Sequence, residues 1–159
     1  MKRGSTIFLR FAISIIGLAV LAVCIFAIPA MASRNAAADP EIAYLQYPFL
    51  AYVYIMAILF FVALYQVFRL LNYIDRNEAF SELSVNALKN IKICTMLVCG
   101  LVIFGMLYVI IFITGDRAGI VSLGLMSTFA SSVIATFAAV LQKLLQNVVD
   151  IKSENDLTV

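Results

Sequence analysis

Four stretches of the chain contain no charged residue. They cover residues 11–33, 42–68, 93–115 and 118–142 and are 23, 27, 23 and 25 residues long. A helix rises about 1.5 Å per residue, so roughly 20 residues cross a hydrocarbon core about 30 Å thick. Each stretch is long enough, and there is no fifth. Hydrocarbon offers no partner to an unpaired backbone N–H or C=O, which leaves helices or a closed barrel. Barrel strands alternate in polarity over about 10 residues, whereas Met56-Ala57-Ile58-Leu59-Phe60-Phe61-Val62 is continuously apolar. The bulk composition agrees: 64% of the 159 residues are apolar and 13% charged, against about 45–50% and 25% in soluble domains. A chain this short has too little interior to hide that surface from water. A soluble enzyme, a disordered tail and a nucleic-acid-binding module are excluded, and the lipid bilayer is the expected surroundings.

The net charge of +2 is too small to imply a polyanionic partner, so position matters more than sum. Lys2, Arg3 and Arg10 precede span one; Arg69, Arg76, Lys89 and Lys92 lie between spans two and three; Lys143 and Lys152 follow span four. Only Arg34 and Arg117 fall on the other side. Basic residues concentrate in short cytoplasmic loops, so both termini and the middle loop are expected in the cytoplasm. The expected fold is all-α: a single integral membrane domain over 1–159, built as a four-helix bundle. A cytoplasmic loop spans 69–92 and a cytoplasmic tail 143–159. One competing reading concerns Ala30-Met31-Ala32, which looks like a signal-peptidase site. Cleavage there leaves three spans with the same cytoplasmic C-terminus, and no cleavage leaves four.

Local signals set the boundaries. Asp39-Pro40-Glu41 reads as a helix start, with Asp39 as cap and Pro40 at the first helical position. Pro48 follows, so the second helix either begins at Pro40 and kinks, or begins near Pro48 after a short interfacial segment. Tyr44, Tyr47, Tyr52 and Tyr54 flank that point, and tyrosine collects at membrane interfaces. Thr114-Gly115-Asp116-Arg117 reads as a tight turn, with Gly115 capping the third helix, which makes spans three and four an antiparallel hairpin.

The middle loop carries the clearest pattern outside the spans. Arg69 to Ile74 continues the second helix, and Asp75-Arg76-Asn77-Glu78 breaks it. Ser81 then reads as a cap with Glu82 in the first turn. Val85, Leu88 and Ile91 recur every three residues, away from Asn86 and Lys89. This predicts a short amphipathic helix leading into span three, which either lies on lipid headgroups or docks a cytoplasmic protein. Its candidate contact residues are Phe80, Ser81, Asn86, Leu88 and Lys89. In the tail, Leu141, Leu144, Leu145, Val148 and Val149 extend the fourth helix by two turns or more. The last ten residues read as a frayed end, with Leu157 and Val159 alternating as in a strand that could add to a sheet edge. Glu154, Asp156, Leu157 and Val159 are its candidate contact residues. Span four holds two ladders of small residues, Ser127, Ser131, Ala135 and Ala139 beside Gly124, Thr128, Ser132 and Thr136. They suit close packing of helices, within the monomer or between copies in a homo-oligomer.

Chemistry is scarce. Histidine is absent, which removes the usual general base and the commonest metal ligand. Cys24, Cys94 and Cys99 all lie in apolar runs and read as reduced packing residues. Cys94 and Cys99 are separated by about 140° around a helix, a poor metal pair. No carboxylate lies inside a span, so a buried acid pair or proton relay is not expected. Gln66 sits near the cytoplasmic end of span two, where it is expected to reach water. No catalytic residue, metal site or cofactor is expected, and the chain reads as a non-enzyme.

Asn77-Glu78-Ala79-Phe80-Ser81, followed by Asn86, Leu88 and Ile91, resembles the middle-loop signature of a bacterial membrane family catalogued as domain of unknown function 2975. The ending Ile151 to Val159 is similar to that family's common C-terminus, and the length and four-span layout agree over nearly the whole chain. The family's usual Gly-Asn-Pro before Phe-Ser is here Asn77-Glu78-Ala79 after Arg76, so a rigid turn at that point is not implied. The family has no established catalytic or binding residues to carry over. The resemblance implies a bacterial cytoplasmic membrane and a partnership with a small helix-turn-helix regulator. Two functions follow as expectations: a non-enzymatic regulator or scaffold holding a cytoplasmic partner, without direct nucleic-acid binding, or a small transporter or immunity-type protein acting on a small amphipathic or apolar ligand.

Overall fold

The computed structural model describes residues 3–114 and 117–158, and these are helical almost throughout. Helix α1 (Arg3–Ala22) passes through a π-turn (Val23–Ala27) into α2 (Ile28–Ala38). A 3-10 turn (Pro40–Leu45) leads to α3 (Gln46–Asp75), followed by α4 (Glu82–Phe112) and α5 (Ala118–Leu157). Four rods result, Arg3–Ala38, Ala43–Asp75, Glu82–Phe112 and Ala118–Leu157, each long and apolar enough to cross a membrane. The charge-free stretches 11–33 and 118–142 lie wholly within them, and most of 42–68 and 93–115 does. Lys2, Gly115, Asp116 and Val159 lie outside the described residues, and with them the expected glycine cap of the third helix.

Proline chemistry explains two local features. Pro29 has no N–H to donate to the carbonyl of Ile25, and its ring crowds that carbonyl. The π-turn lies directly ahead of it, where the Ile28 N–H reaches back five residues to the Val23 carbonyl. The widened turn leaves the Cys24 carbonyl open to the Tyr54 hydroxyl, which donates to it at 3.1 Å. Pro48 sits in the first turn of α3, where a backbone N–H has no helical partner, so it starts the helix without kinking it. The choice left open between Pro40 and Pro48 is therefore resolved: the 3-10 turn begins at Pro40 and the α-helix begins at Gln46. Of the four tyrosines near this point, Tyr44 and Tyr47 are exposed. Tyr52 instead donates to the Leu101 carbonyl on α4, so Tyr52 and Tyr54 tie α3 to its two neighbours.

Within the connecting segment 69–92, α3 runs to Asp75 and α4 starts at Glu82, leaving only 76–81 outside helix, as the break at 75–78 and the Ser81 cap predict. Two expectations need correction. The expected amphipathic helix is the first turns of α4, continuous with the span and not separated from it by an elbow. The tail is helical through Leu157, so the strand-like reading of Leu157 fails; local helix propagation from a long, well-packed α5 wins over a two-residue alternation.

The helices also stand in a row, where a four-helix bundle was expected. α1 and α2 pack on α3, α3 packs on α4, and α4 packs on α5. Among the described residues no comparable seam joins α1 to α5. The accessible surface is 11095 Å², against roughly 7,900 Å² for a water-soluble monomer of 17.5 kDa. The excess is apolar: Phe26 and Phe129 are 74% and 73% exposed. Such a surface needs lipid. The buried core is displaced toward one end of the rods, where Leu71, Tyr73, Val85, Ala87, Leu88, Ile91 and Cys94 of α3 and α4 are enclosed. That is the end bearing Arg10, Arg69 and Lys92, called the basic end below.

Close approach between rods depends on glycine. A Cβ at Gly105 would meet the Tyr52 hydroxyl, and one at Gly124 would meet the Met106 side chain. At Gly100 there is open space. Gly105→Ala is expected to push Tyr52 off the Leu101 carbonyl and cost about 1–3 kcal/mol, whereas Gly100→Ala is expected to be neutral or slightly stabilising. Thermal unfolding of the two variants in detergent checks the contrast.

Candidate functional site at the basic end

The residues singled out in the sequence converge on the basic end, where α3 stops and α4 starts. The stop is built by Asn77, which takes φ of 60°, a left-handed conformation that Asn tolerates better than most residues. The Glu78 N–H then returns to the Tyr73 carbonyl at 2.8 Å. The restart is the expected cap: Ser81 Oγ accepts from the Ser84 N–H at 3.4 Å and donates to the Glu78 carbonyl at 2.6 Å. Ser84 is fully buried, and its hydroxyl donates to the same carbonyl at 3.1 Å. One carbonyl thus receives two hydroxyls and fixes the angle between α3 and α4. Sequence reasoning identified Ser81 and missed Ser84, whose serine at the third helical position carried no distinguishing signal.

The candidate contact residues separate into two groups. Phe80 is 59% exposed, and Asn86 and Lys89 are also exposed. Leu88 is buried with Val85, Ala87 and Ile91. The apolar stripe predicted to face lipid or a partner is therefore occupied by the chain's own helices, and Leu88 is withdrawn from the contact surface. Glu154, Asp156 and Leu157 are exposed on the far turns of α5; Val159 is outside the described residues.

Polar groups cross-link α1 to α3 at the same end. Arg10 pairs with Asp75 at 2.8 Å and reaches Asn72 Oδ1 at 3.4 Å. Arg69 donates to the Tyr73 hydroxyl from Nε at 3.1 Å and from its terminal nitrogen at 2.6 Å. Gln66 is buried and its Oε1 has no hydrogen-bond partner, so the expectation that it reaches water is corrected.

The small-residue ladders of span four are only half engaged. Gly124, Thr128, Ser131 and Ala135 are partly buried, while Ser127, Ser132 and Thr136 are exposed. The face of α5 toward α4 follows a different rhythm: Val121, Gly124, Thr128, Ser131, Ala135, Ala138, Gln142, Leu145 and Val149, alternating steps of three and four. That is the heptad spacing of left-handed helix pairs. It was present in the sequence, hidden because nearly every other residue of the span is also small or apolar. Thr128, Ser132 and Thr136 each donate 2.8 Å to the carbonyl four residues back, which satisfies them within the helix. Cys99 lies 3.7 Å from Ser132, and all three cysteines are free.

Comparison with known proteins agrees with a membrane location. Residues 30–159 match the family described as a protein of unknown function, DUF2975. The chain belongs to this family. It is 52% identical over 160 residues to the uncharacterized membrane protein YoaS of Bacillus subtilis, covering 100% of both chains. No solved structure matches it. The resemblance drawn from residues 77–91 and 151–159 is thus confirmed for most of the chain.

Removing the cap tests this junction. Ser81→Ala is expected to cost about 1 kcal/mol and to speed amide exchange selectively in residues 82–85, read by hydrogen–deuterium exchange in detergent.

Proposed function

We propose that this family member is a non-enzymatic scaffold of the bacterial cytoplasmic membrane, with both termini in the cytoplasm, that holds a cytoplasmic protein on the projecting part of α5. Nine basic residues at one end against two at the other support the orientation. The observation that carries the function is the outer face of α5 beyond Lys143. Leu144, Val148 and Ile151 are 57%, 41% and 58% exposed, at steps of four and three along one side of the helix. The adjoining side, with Leu145 and Val149 about 100° further round, is half-buried. Beyond the last apolar run of the membrane, such a stripe faces water unless a protein covers it, and an amphipathic helix of this kind fits a groove on a partner. Phe80, Asn86 and Lys89 are further contacts in this reading. A small helix-turn-helix regulator is the partner class that family resemblance supports. Membrane tethering would then control how much of it is free.

A photo-crosslinking residue placed at Ile151 in living cells tests the reading. A single adduct with a cytoplasmic protein is expected, abolished by Leu144→Asp. Adducts confined to lipid, or to a second copy of the chain, would overturn it and favour an interfacial or self-associating helix.

A further inference from the structure

A hollow of about 400 Å³ opens between α4 and α5 at the basic end, lined by Lys92, Ala139, Gln142, Lys143, Gln146 and Asn147. Residues 139, 142, 143 and 146 share one face of α5, and the short side chain of Ala139 leaves the space. Lys92 enters from α4. Residues 93–112 of α4 make 20 residues of uncharged helix, about 30 Å, so Lys92 stands where hydrocarbon gives way to headgroups. Lys143, the first charge after span four, stands at the same level on α5.

Two features distinguish this hollow from an ordinary basic rim. Neither Lys92 nor Lys143 makes an ion pair among the described residues; the nearby Asp150 carboxylate is engaged by the Gln146 amide at 2.9 Å. In addition, Gln142 Oε1 is buried without a hydrogen-bond partner. A buried acceptor left unpaired is costly, and a small turn of the Gln142 amide toward the hollow it lines would let a ligand hydroxyl satisfy it. The second hollow at this end, lined by Arg10, Phe68, Arg69 and Asn72, contrasts with it. There Arg10 already has Asp75, and Arg69 is closed onto Tyr73.

We propose that the α4–α5 hollow binds a glycerophosphate group, with the phosphate held by Lys92 and Lys143 and a glycerol hydroxyl donating to Gln142 Oε1. At this depth the bilayer supplies that chemistry as an anionic phospholipid headgroup with a free glycerol, and the aqueous phase supplies it as a soluble phosphate ester. Basic pockets between membrane helices favour anionic headgroups on electrostatic grounds. The site is independent of the partner on α5, so the two readings fail separately.

The test uses the full chain in neutral detergent. Native mass spectrometry with equimolar phosphatidylglycerol and phosphatidylethanolamine is expected to show one phosphatidylglycerol retained per chain, with a raised thermal midpoint. Lys92→Gln with Lys143→Gln is expected to weaken retention about tenfold or more; Arg76→Gln with Lys152→Gln, equal in net charge but outside the hollow, is expected to stay within about twofold. Gln142→Leu is expected to erase the preference for phosphatidylglycerol over phosphatidic acid, which lacks the glycerol hydroxyls. A lipid-free midpoint unchanged in each variant shows that it is folded. Displacement of the lipid by glycerol 3-phosphate assigns the same site to the soluble ester. Equal retention of phosphatidylethanolamine, or an equal loss in the Arg76/Lys152 variant, would overturn the site.

Discussion

The constraint on which the rest depends is that hydrocarbon cannot hydrogen-bond a peptide group. Every N–H and C=O within the spans must find a partner in the chain. Where the regular helical ladder is interrupted, the structure supplies a substitute. Pro29 removes one donor, the turn before it widens, and Tyr54 caps the Cys24 carbonyl from a neighbouring rod. The Thr128, Ser132 and Thr136 hydroxyls of α5 are closed onto carbonyls four residues back, since hydrocarbon offers a hydroxyl no partner either.

The second consequence concerns where a core forms. Among apolar chains in lipid there is no hydrophobic force between helices, so association rests on close packing and on a few polar ties. This accounts for an open row with exposed phenylalanines and for glycines at the contacts of Tyr52 and Met106. At the basic end, where helices emerge into water, burial becomes favourable again. Leu71, Val85, Leu88 and Ile91 are enclosed there, and Ser84 is locked under them by the Glu78 carbonyl. This cluster of buried residues therefore lies beside the surface proposed above to meet a partner and a headgroup.

Much of this was legible in the residues. The spacing of charges predicted the four rods, Asp75-Arg76-Asn77-Glu78 the break, and Ser81 the restart of helix. What escaped depends on neighbours in space. Leu88 fitted an exposed stripe equally well until α4 was seen to be covered on that side. The heptad face of α5 could not be told from the four-residue ladders, because Ser127, Ser132 and Thr136 are as small as the residues that pack. Leu157 was read as strand-like because two residues carry too little pattern against a 40-residue helix. The row, as opposed to a closed bundle, is decided by which seams are tight, and Gly105 and Gly124 reveal that only once Tyr52 and Met106 are placed against them.

The central claim is that four crossings bring every basic end to the cytoplasmic face. Labelling of single introduced cysteines in intact cells with a membrane-impermeant thiol reagent, in a background free of Cys24, Cys94 and Cys99, tests it most directly. Ala37→Cys and Arg117→Cys should react in intact cells, whereas Glu78→Cys and Ser153→Cys should react only after permeabilisation. Reaction of Glu78→Cys or Ser153→Cys in intact cells would contradict it.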